Sequence, residues 1–236
     1  MTLAITDLTV RYGARTALDR ITCTLPTSGF VGLLGPNGSG KSTLLRAILD
    51  WQAPASGSVR LDGRAVADQR ARFAYLPQRD GLDLDFPATV ELVVQLGRFP
   101  RLGWWRGFSA SDHAAVETAL DELGLTGLRR RPLAELSGGQ RQRVLLARAQ
   151  AQGADVVLLD EPLTGLDATS RADLLDRLAE WGEKGRLVLA VLHDLDAVRS
   201  HCSQALLLDT RLVAAGPPVE VCSAARLTEA YGRAVA

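Results

Sequence analysis

The sequence predicts an α/β fold in which a parallel sheet carries the chemistry, with an antiparallel β subdomain beside it and an inserted α-helical subdomain. Three observations lead there. After residue 150, apolar strand-like runs alternate with helical patterns, the mark of a parallel sheet. Before residue 79, short alternating segments and the hairpin dipeptide Asp62-Gly63 indicate antiparallel pairing. Between 79 and 150 the periodicity is mostly helical. At 236 residues, 47% of them hydrophobic, the chain suits one domain over 1–236. Residues 1–78 and 151–236 form its core in this reading, and 79–150 the helical subdomain.

In chain order, TLAITDLTV (2–10) alternates as a strand, residues 12–14 make a turn, and 21–25 a second strand. Phe30, Val31, Leu33 and Leu34 are a third, running into GPNGSGKST (35–43), after which Leu44, Leu45, Ala47, Ile48 and Leu49 fit one helical face. SGSVRLDGRAV is the hairpin, and 73–76 a short strand ending at Pro77 and Gln78. Three helices follow, at about 90–96, 110–123 and from Ser137 onward, interrupted by Gly97, Pro100, Gly103 and Gly107. The remainder reads as a strand over 155–160, a helix over 169–181, a strand over 187–192, a hairpin of 206–209 with 212–214, and a helical tail.

Composition removes several classes of function. Lysine plus arginine and aspartate plus glutamate are 27 each, so no net field favours nucleic acid. Cys23, Cys202 and Cys222 are distant and odd in number, which suggests neither a disulfide framework nor a zinc site, and a reducing cytosol is the simplest compartment. Asp7 and Arg11 interrupt the early apolar stretch, so no signal peptide is expected. No apolar run approaches the 18 residues or so of a membrane span, leaving any membrane role to a partner.

Strand, glycine turn and helix around GPNGSGKST are what a phosphate-binding loop requires. Glycines 35, 38 and 40 let successive N–H groups converge on a phosphate, reinforced by the opening helix. Asn37, Gly38, Ser39, Gly40, Lys41, Ser42 and Thr43 are therefore the candidate nucleotide-binding set. Lys41 reaches the outer phosphates, and the Ser42 hydroxyl suits Mg²⁺. Lys41 is one of only two lysines, the other being Lys184, and so is hard to explain as background.

At the end of the strand over 155–160 stand Asp160 and Glu161, where Asp160 would hold Mg²⁺ and Glu161 orient or deprotonate the attacking water. Taken alone, such a pair is commonly a solvated acidic turn, a reading that the complete phosphate loop upstream disfavours. His193 follows another apolar strand and falls at the same sheet edge, in reach of the γ-phosphate or of Glu161. Leu136 to Gln140, LSGGQ, starts a helix capped by Ser137; alone it is a capped helix or a modest anion site.

Together, GPNGSGKST, Gln78, LSGGQ, VVLLDEP, the GLD of 165–167 and His193 resemble the ATP-binding subunit of ABC transporters, over about residues 3 to 214. The resemblance implies a phosphate-loop NTPase core of RecA-like type, an ATPase, and ATP with Mg²⁺ as its ligands. It makes Tyr12 the aromatic that stacks on adenine and Gln78 the glutamine that senses Mg²⁺ and the membrane partner. Ser137, Gly138, Gly139 and Gln140 would close over the ATP of the opposite subunit, and Asp167 would belong to the loop crossing to it. The implied state is a homodimer on ATP binding, peripheral on the cytoplasmic side of the membrane and bound to an integral permease. Thr164 stands where many relatives have serine.

DFPATVELVVQLGR, the RLGWWR element and the closing LTEAYG are similar to ATPases of zinc and manganese importers. Zinc is the expected cargo, manganese the next, with an extracytoplasmic metal-binding protein completing the complex. A siderophore or cobalamin importer, an exporter, and more remotely a soluble ABC protein or a plain phosphate-loop kinase are the competing readings. Phe99, Leu102, Trp104, Trp105 and Phe108 serve either as a docking patch or as the helical subdomain's own core.

Overall fold

A computed structural model describes residues 1–78, 87–102 and 107–232. Its strands are β1 (Leu3–Tyr12), β2 (Arg15–Leu25), β3 (Gly29–Leu34), β4 (Ser56–Leu61), β5 (Arg64–Ala65), β6 (Phe73–Leu76), β7 (Val156–Leu159), β8 (Leu187–Val191), β9 (Gln204–Asp209) and β10 (Arg211–Gly216). The helices are α1 (Lys41–Ile48), α2 (Val90–Leu96), α3 (Phe99–Leu102), α4 (Ala110–Glu122), α5 (Gly138–Gln152), α6 (Ala168–Glu183), α7 (Leu195–His201), α8 (Pro218–Val221) and α9 (Ala224–Tyr231).

Two sheets organise them. The smaller, ordered β2-β1-β4-β5, is antiparallel throughout. The larger, ordered β10-β9-β3-β8-β7-β6, is parallel except for the β9–β10 hairpin at its edge. β2 begins six residues earlier than its alternation suggests, because register shifts along β1 and β2 put the consecutive residues Ala17 and Leu18 both inside. Such bulges break the period of two on which strand reading depends.

The central strands read as unbroken apolar runs because both of their faces are covered. In β3, Phe30 and Leu34 join the core under the helices, while Val31 and Leu33 face α1 and the antiparallel sheet. β8 and β7 divide the same way: Val188, Ala190, Val157 and Leu159 point to one core, and Leu187, Leu189, Val156 and Leu158 to the other. Each fully buried Val or Leu contributes about 1.5–3 kcal/mol, so these strands are a main source of the fold's stability.

The helical segment packs by three- and four-residue spacing, with Val90, Val93 and Val94 of α2 meeting Val116, Ala119 and Leu120 of α4 and Val144, Leu145 and Ala147 of α5. Its core is continuous with that of the sheet. Arg98 clamps it, donating from Nε to Asp112 Oδ1 at 2.8 Å and from Nη1 to the Ala151 carbonyl at 2.6 Å. Bonds from the Ser109 side chain and backbone, then from Arg98, hold the Asp112 carboxyl below the usual carboxylate range. Phe99 is exposed, Leu102 half-buried, and Phe108 packs half-buried on the core; Trp104 and Trp105 lie outside the described residues. α7 has no counterpart in the periodicity analysis, since seven residues capped by Asp194 give too short a helical signal.

Candidate functional site

In the larger sheet β3, β8, β7 and β6 are successive parallel neighbours, so their carboxyl ends lie along one edge. Those ends lead to the loop after Leu34, to His193, to Asp160 and Glu161, and to Gln78. Residues far apart in sequence are thereby delivered to one rim, where ligands of open α/β sheets sit.

The loop from Gly35 to Gly40 depends on backbone conformations with positive φ, +147° at Gly35, +82° at Gly38 and +101° at Gly40. A Cβ on Gly40 would stand 2.5 Å from the Ala17 carbonyl oxygen, and one on Gly35 would run into the Leu208 carbonyl. α1 opens directly after Gly40 with no side-chain cap, leaving its first amides to an anionic ligand. Lys41 is buried, and its Nζ donates to the carbonyls of Gly35 at 2.8 Å and Pro36 at 2.9 Å. Burial lowers its pKa, and the carboxylates Glu161 and Asp160 work against that shift.

A cleft of about 620 Å³ lies over this loop. Asn37, Gly38, Gly40, Lys41, Ser42 and Thr43 line one wall, while Gln78, Glu161 and His193 close the other. Tyr12 forms the outer rim, 44% exposed. Ser39 is not on the wall: it is buried, its side chain turned in beside Gly35 and its carbonyl accepting from Thr210 N at 2.9 Å. Arg15 and Ala17 also line the cleft, and the sequence reading missed both. Arg15 pairs with Tyr12 across the turn, so placing the turn at Gly13 and Ala14 alone would have put it on the rim.

The acidic pair occupies two environments. Asp160 is buried behind the wall, accepting from Ser42 Oγ at 3.1 Å through Oδ1 and from the Tyr75 hydroxyl at 3.4 Å through Oδ2. Glu161 sits at φ +54°, a left-handed conformation costing on the order of 1–2 kcal/mol in a non-glycine residue. That turn sets its carboxylate between two partners. Oε2 accepts from Gln78 Nε2 at 2.7 Å, and Oε1 is 3.0 Å from His193 Nε2. Burial alone would raise the Glu161 pKa, but the bond and charge of His193, the Gln78 bond and the field of Lys41 outweigh it and hold the carboxyl below its ordinary range. The group is therefore ionised near neutral pH, as a proton acceptor must be.

Ser42 Oγ and the Asp160 carboxylate, 3.1 Å apart, are hard oxygen donors of the kind that suits Mg²⁺ rather than a softer metal.

Ser137 to Gln140 and Asp167 line a separate cleft of about 1010 Å³ on the same chain. Ser137 Oγ accepts from Gln140 N at 3.3 Å, and Gln140 Oε1 accepts from Ser137 N at 2.9 Å, a reciprocal capping box. That arrangement occupies the Gln140 side chain within its own turn and leaves Gly138 and Gly139 as the bare helix opening. Asp167 caps α6, accepting from Ser170 N at 2.9 Å and from Ser170 Oγ at 2.8 Å, and these bonds lower its pKa.

A third depression, about 440 Å³, runs between the core and the helical segment, with Trp51, Val66, Phe73 and Tyr75 on one side and Leu96 and Pro100 on the other. Trp51 and Leu96 are 60% and 44% exposed, which makes its rim unusually apolar for a free surface.

The fold recurs in solved structures. An ABC transporter in an inward-facing conformation superposes with a TM-score of 0.86 at 27% identity, covering 98% of this chain and 89% of that one. Among curated relatives, the manganese transport system ATP-binding protein MntB of Bacillus subtilis (strain 168) is 39% identical over 226 residues, 96% of this chain and 90% of the relative. The zinc transport system ATP-binding protein TroB of Treponema pallidum (strain Nichols) is also 39% identical, over 228 residues, 97% of this chain and 86% of the relative. The sequence model of the ABC transporter family matches residues 18–164, the stretch that runs from the rim of the cleft through both carboxylates. On this combination of site and kinship, the chain belongs to the ATP-binding, ATP-hydrolysing subunits of ABC transporters.

Proposed function

We propose that the chain is the ATPase of an importer for a divalent metal, manganese or zinc, acting as a nucleotide-dependent pair through a separate membrane permease. The observation that carries the cargo class is the 39% identity, across nearly the whole chain, to subunits named for manganese and for zinc transport. The subunit sits peripherally on the cytoplasmic face, an extracytoplasmic protein presents the metal, and nucleic acid has no part.

The nucleotide lies along the 620 Å³ cleft, its adenine on the Tyr12 ring and its phosphates at the loop amides. Lys41 exchanges its bonds to the Gly35 and Pro36 carbonyls for phosphate oxygens, keeping its ammonium satisfied. Asn37, Gly38, Ser39, Gly40 and Thr43 complete the loop's grip, Ser39 from beneath through its backbone. Ser42, Asp160 and Gln78 would hold Mg²⁺, which when bound neutralises charge on the β- and γ-phosphate oxygens. Glu161 accepts the proton of the attacking water while His193 and Gln78 hold its two oxygens in place. Ser137, Gly138, Gly139 and Gln140, with Asp167, meet the γ-phosphate held by the other copy, because a helix opening with bare glycine amides suits an anion. In this division 1–78 and 151–236 bind nucleotide, and the helical subdomain 79–150 carries the capped helix and one wall of the apolar groove. A helix of the permease fills that groove.

Uptake of radiolabelled Mn²⁺ and Zn²⁺ by cells lacking the chain, re-supplied with wild type or with Glu161→Gln, tests the reading. Restoration of one metal's uptake by wild type alone supports it and names the cargo; unchanged uptake of both metals in the deletion strain contradicts it.

A further inference from the structure

Tyr75 stands where three parts of the molecule meet. It is the penultimate residue of β6, three positions before Gln78, and faces the α1 side of the sheet. Its ring meets that of Trp51 edge to face, with centroids 5.1 Å apart and planes 85° apart, so the two aromatics form one floor of the apolar groove. Arg148, from the helix that begins at Ser137, donates to its backbone carbonyl at 3.4 Å. Its hydroxyl is 3.4 Å from Asp160 Oδ2.

Asp160 is 3% exposed and has no ion-pair partner within 4 Å among the described residues. A buried carboxylate needs donors, and two hydroxyls supply them, Ser42 at Oδ1 and Tyr75 at Oδ2. With one hydroxyl on each oxygen, the plane of the carboxylate is fixed. An ordinary phenol is protonated near neutral pH, so the Tyr75 hydroxyl serves as a donor.

We propose that Tyr75 is a positioning residue for Asp160: its hydroxyl orients the carboxylate for Mg²⁺-nucleotide, and its contact with Trp51 makes that orientation depend on the floor of the groove. A partner element pressing on Trp51 moves the phenol ring, and with it one of the two anchors of Asp160. The inference rests on the nucleotide-site reading above.

The test uses the full-length chain and a fluorescent ATP analogue, titrated in EDTA and in Mg²⁺. Tyr75→Phe keeps the ring and its contact with Trp51 but loses the hydroxyl. It should bind like wild type in EDTA, while the strengthening produced by Mg²⁺ falls about threefold to tenfold, the range of an ordinary hydrogen bond, as suits a contact of 3.4 Å. Trp51→Ala, at an exposed position, should lower the same strengthening by at least about twofold. Tyr75→Phe with the full wild-type strengthening overturns the proposal. Trp51→Ala with the full strengthening overturns the link to the groove. Absence of nucleotide binding by wild type, or indifference of that binding to Lys41→Ala, counts instead against the nucleotide site itself.

Discussion

Replacing Glu161 by glutamine removes one proton-accepting group and little else. The two side chains have the same length, so the turn at φ +54° and the cleft wall persist. Of the two contacts, the 3.0 Å approach to His193 Nε2 tolerates an amide, because a neutral imidazole nitrogen can accept its N–H. The 2.7 Å contact with Gln78 then keeps an oxygen acceptor. Lys41 and the loop amides are untouched, so ATP affinity should stay within about threefold of wild type. Loss of the general base should lower kcat by about 10²–10⁴, on the order of 3–5 kcal/mol in the barrier. Phosphate release under saturating ATP, beside equilibrium binding of a fluorescent ATP analogue, separates the two effects. A Glu161→Gln protein hydrolysing within a few-fold of the wild-type rate would refute the assignment of Glu161 as the base. One that no longer binds ATP would mean that the carboxylate holds the cleft together.

Other outcomes follow from the same geometry. Gly40→Ala puts a methyl group 2.5 Å from the Ala17 carbonyl at φ +101°; strain of about 1–3 kcal/mol should lower the thermal midpoint by several degrees and abolish analogue binding. His193→Ala removes one oriented bond to Glu161 Oε1 and should slow hydrolysis about 10- to 100-fold with ATP affinity nearly unchanged, read from kcat and KM separately. Because the folded-state pKa of Glu161 lies below its ordinary 4.5, its ionised form contributes stability that is full above about pH 4.5 and is lost as pH falls through the lowered value. The thermal midpoint of wild type minus that of Glu161→Gln should therefore shrink as pH falls below about 4.5, and a difference that grows on that acidification would contradict the pKa direction.

Much of this was legible in the sequence because it depends on local chemistry. The apolar runs of β3, β7 and β8 declare themselves since both faces are buried, and 90–96 falls on α2 because Thr89 caps it ahead of a valine-spaced turn. GPNGSGKST shows its glycines, and the strand-end positions of Glu161 and His193 follow from a parallel sheet. What escaped depends on features with no periodic trace. The early start of β2 hides behind bulges at residues such as Asp7 and Arg20, both at positive φ. α7 is too short, and Arg15 reaches the cleft only because a two-residue turn sets it opposite Tyr12. Ser39 lies in the middle of the loop motif, yet its side chain faces inward; spacing alone does not reveal which loop residues point at a ligand. The left-handed turn at Glu161 and the Tyr75 hydroxyl on Asp160 are tertiary facts.

The pairing of two chains around ATP is met most directly by measuring molar mass. Light scattering of the Glu161→Gln protein should give 25.3 kDa without nucleotide and about twice that with ATP and Mg²⁺, while adding Ser137→Arg should return it to the single-chain mass with ATP still bound. A Glu161→Gln chain that binds ATP and stays at 25.3 kDa would contradict a site shared between two copies.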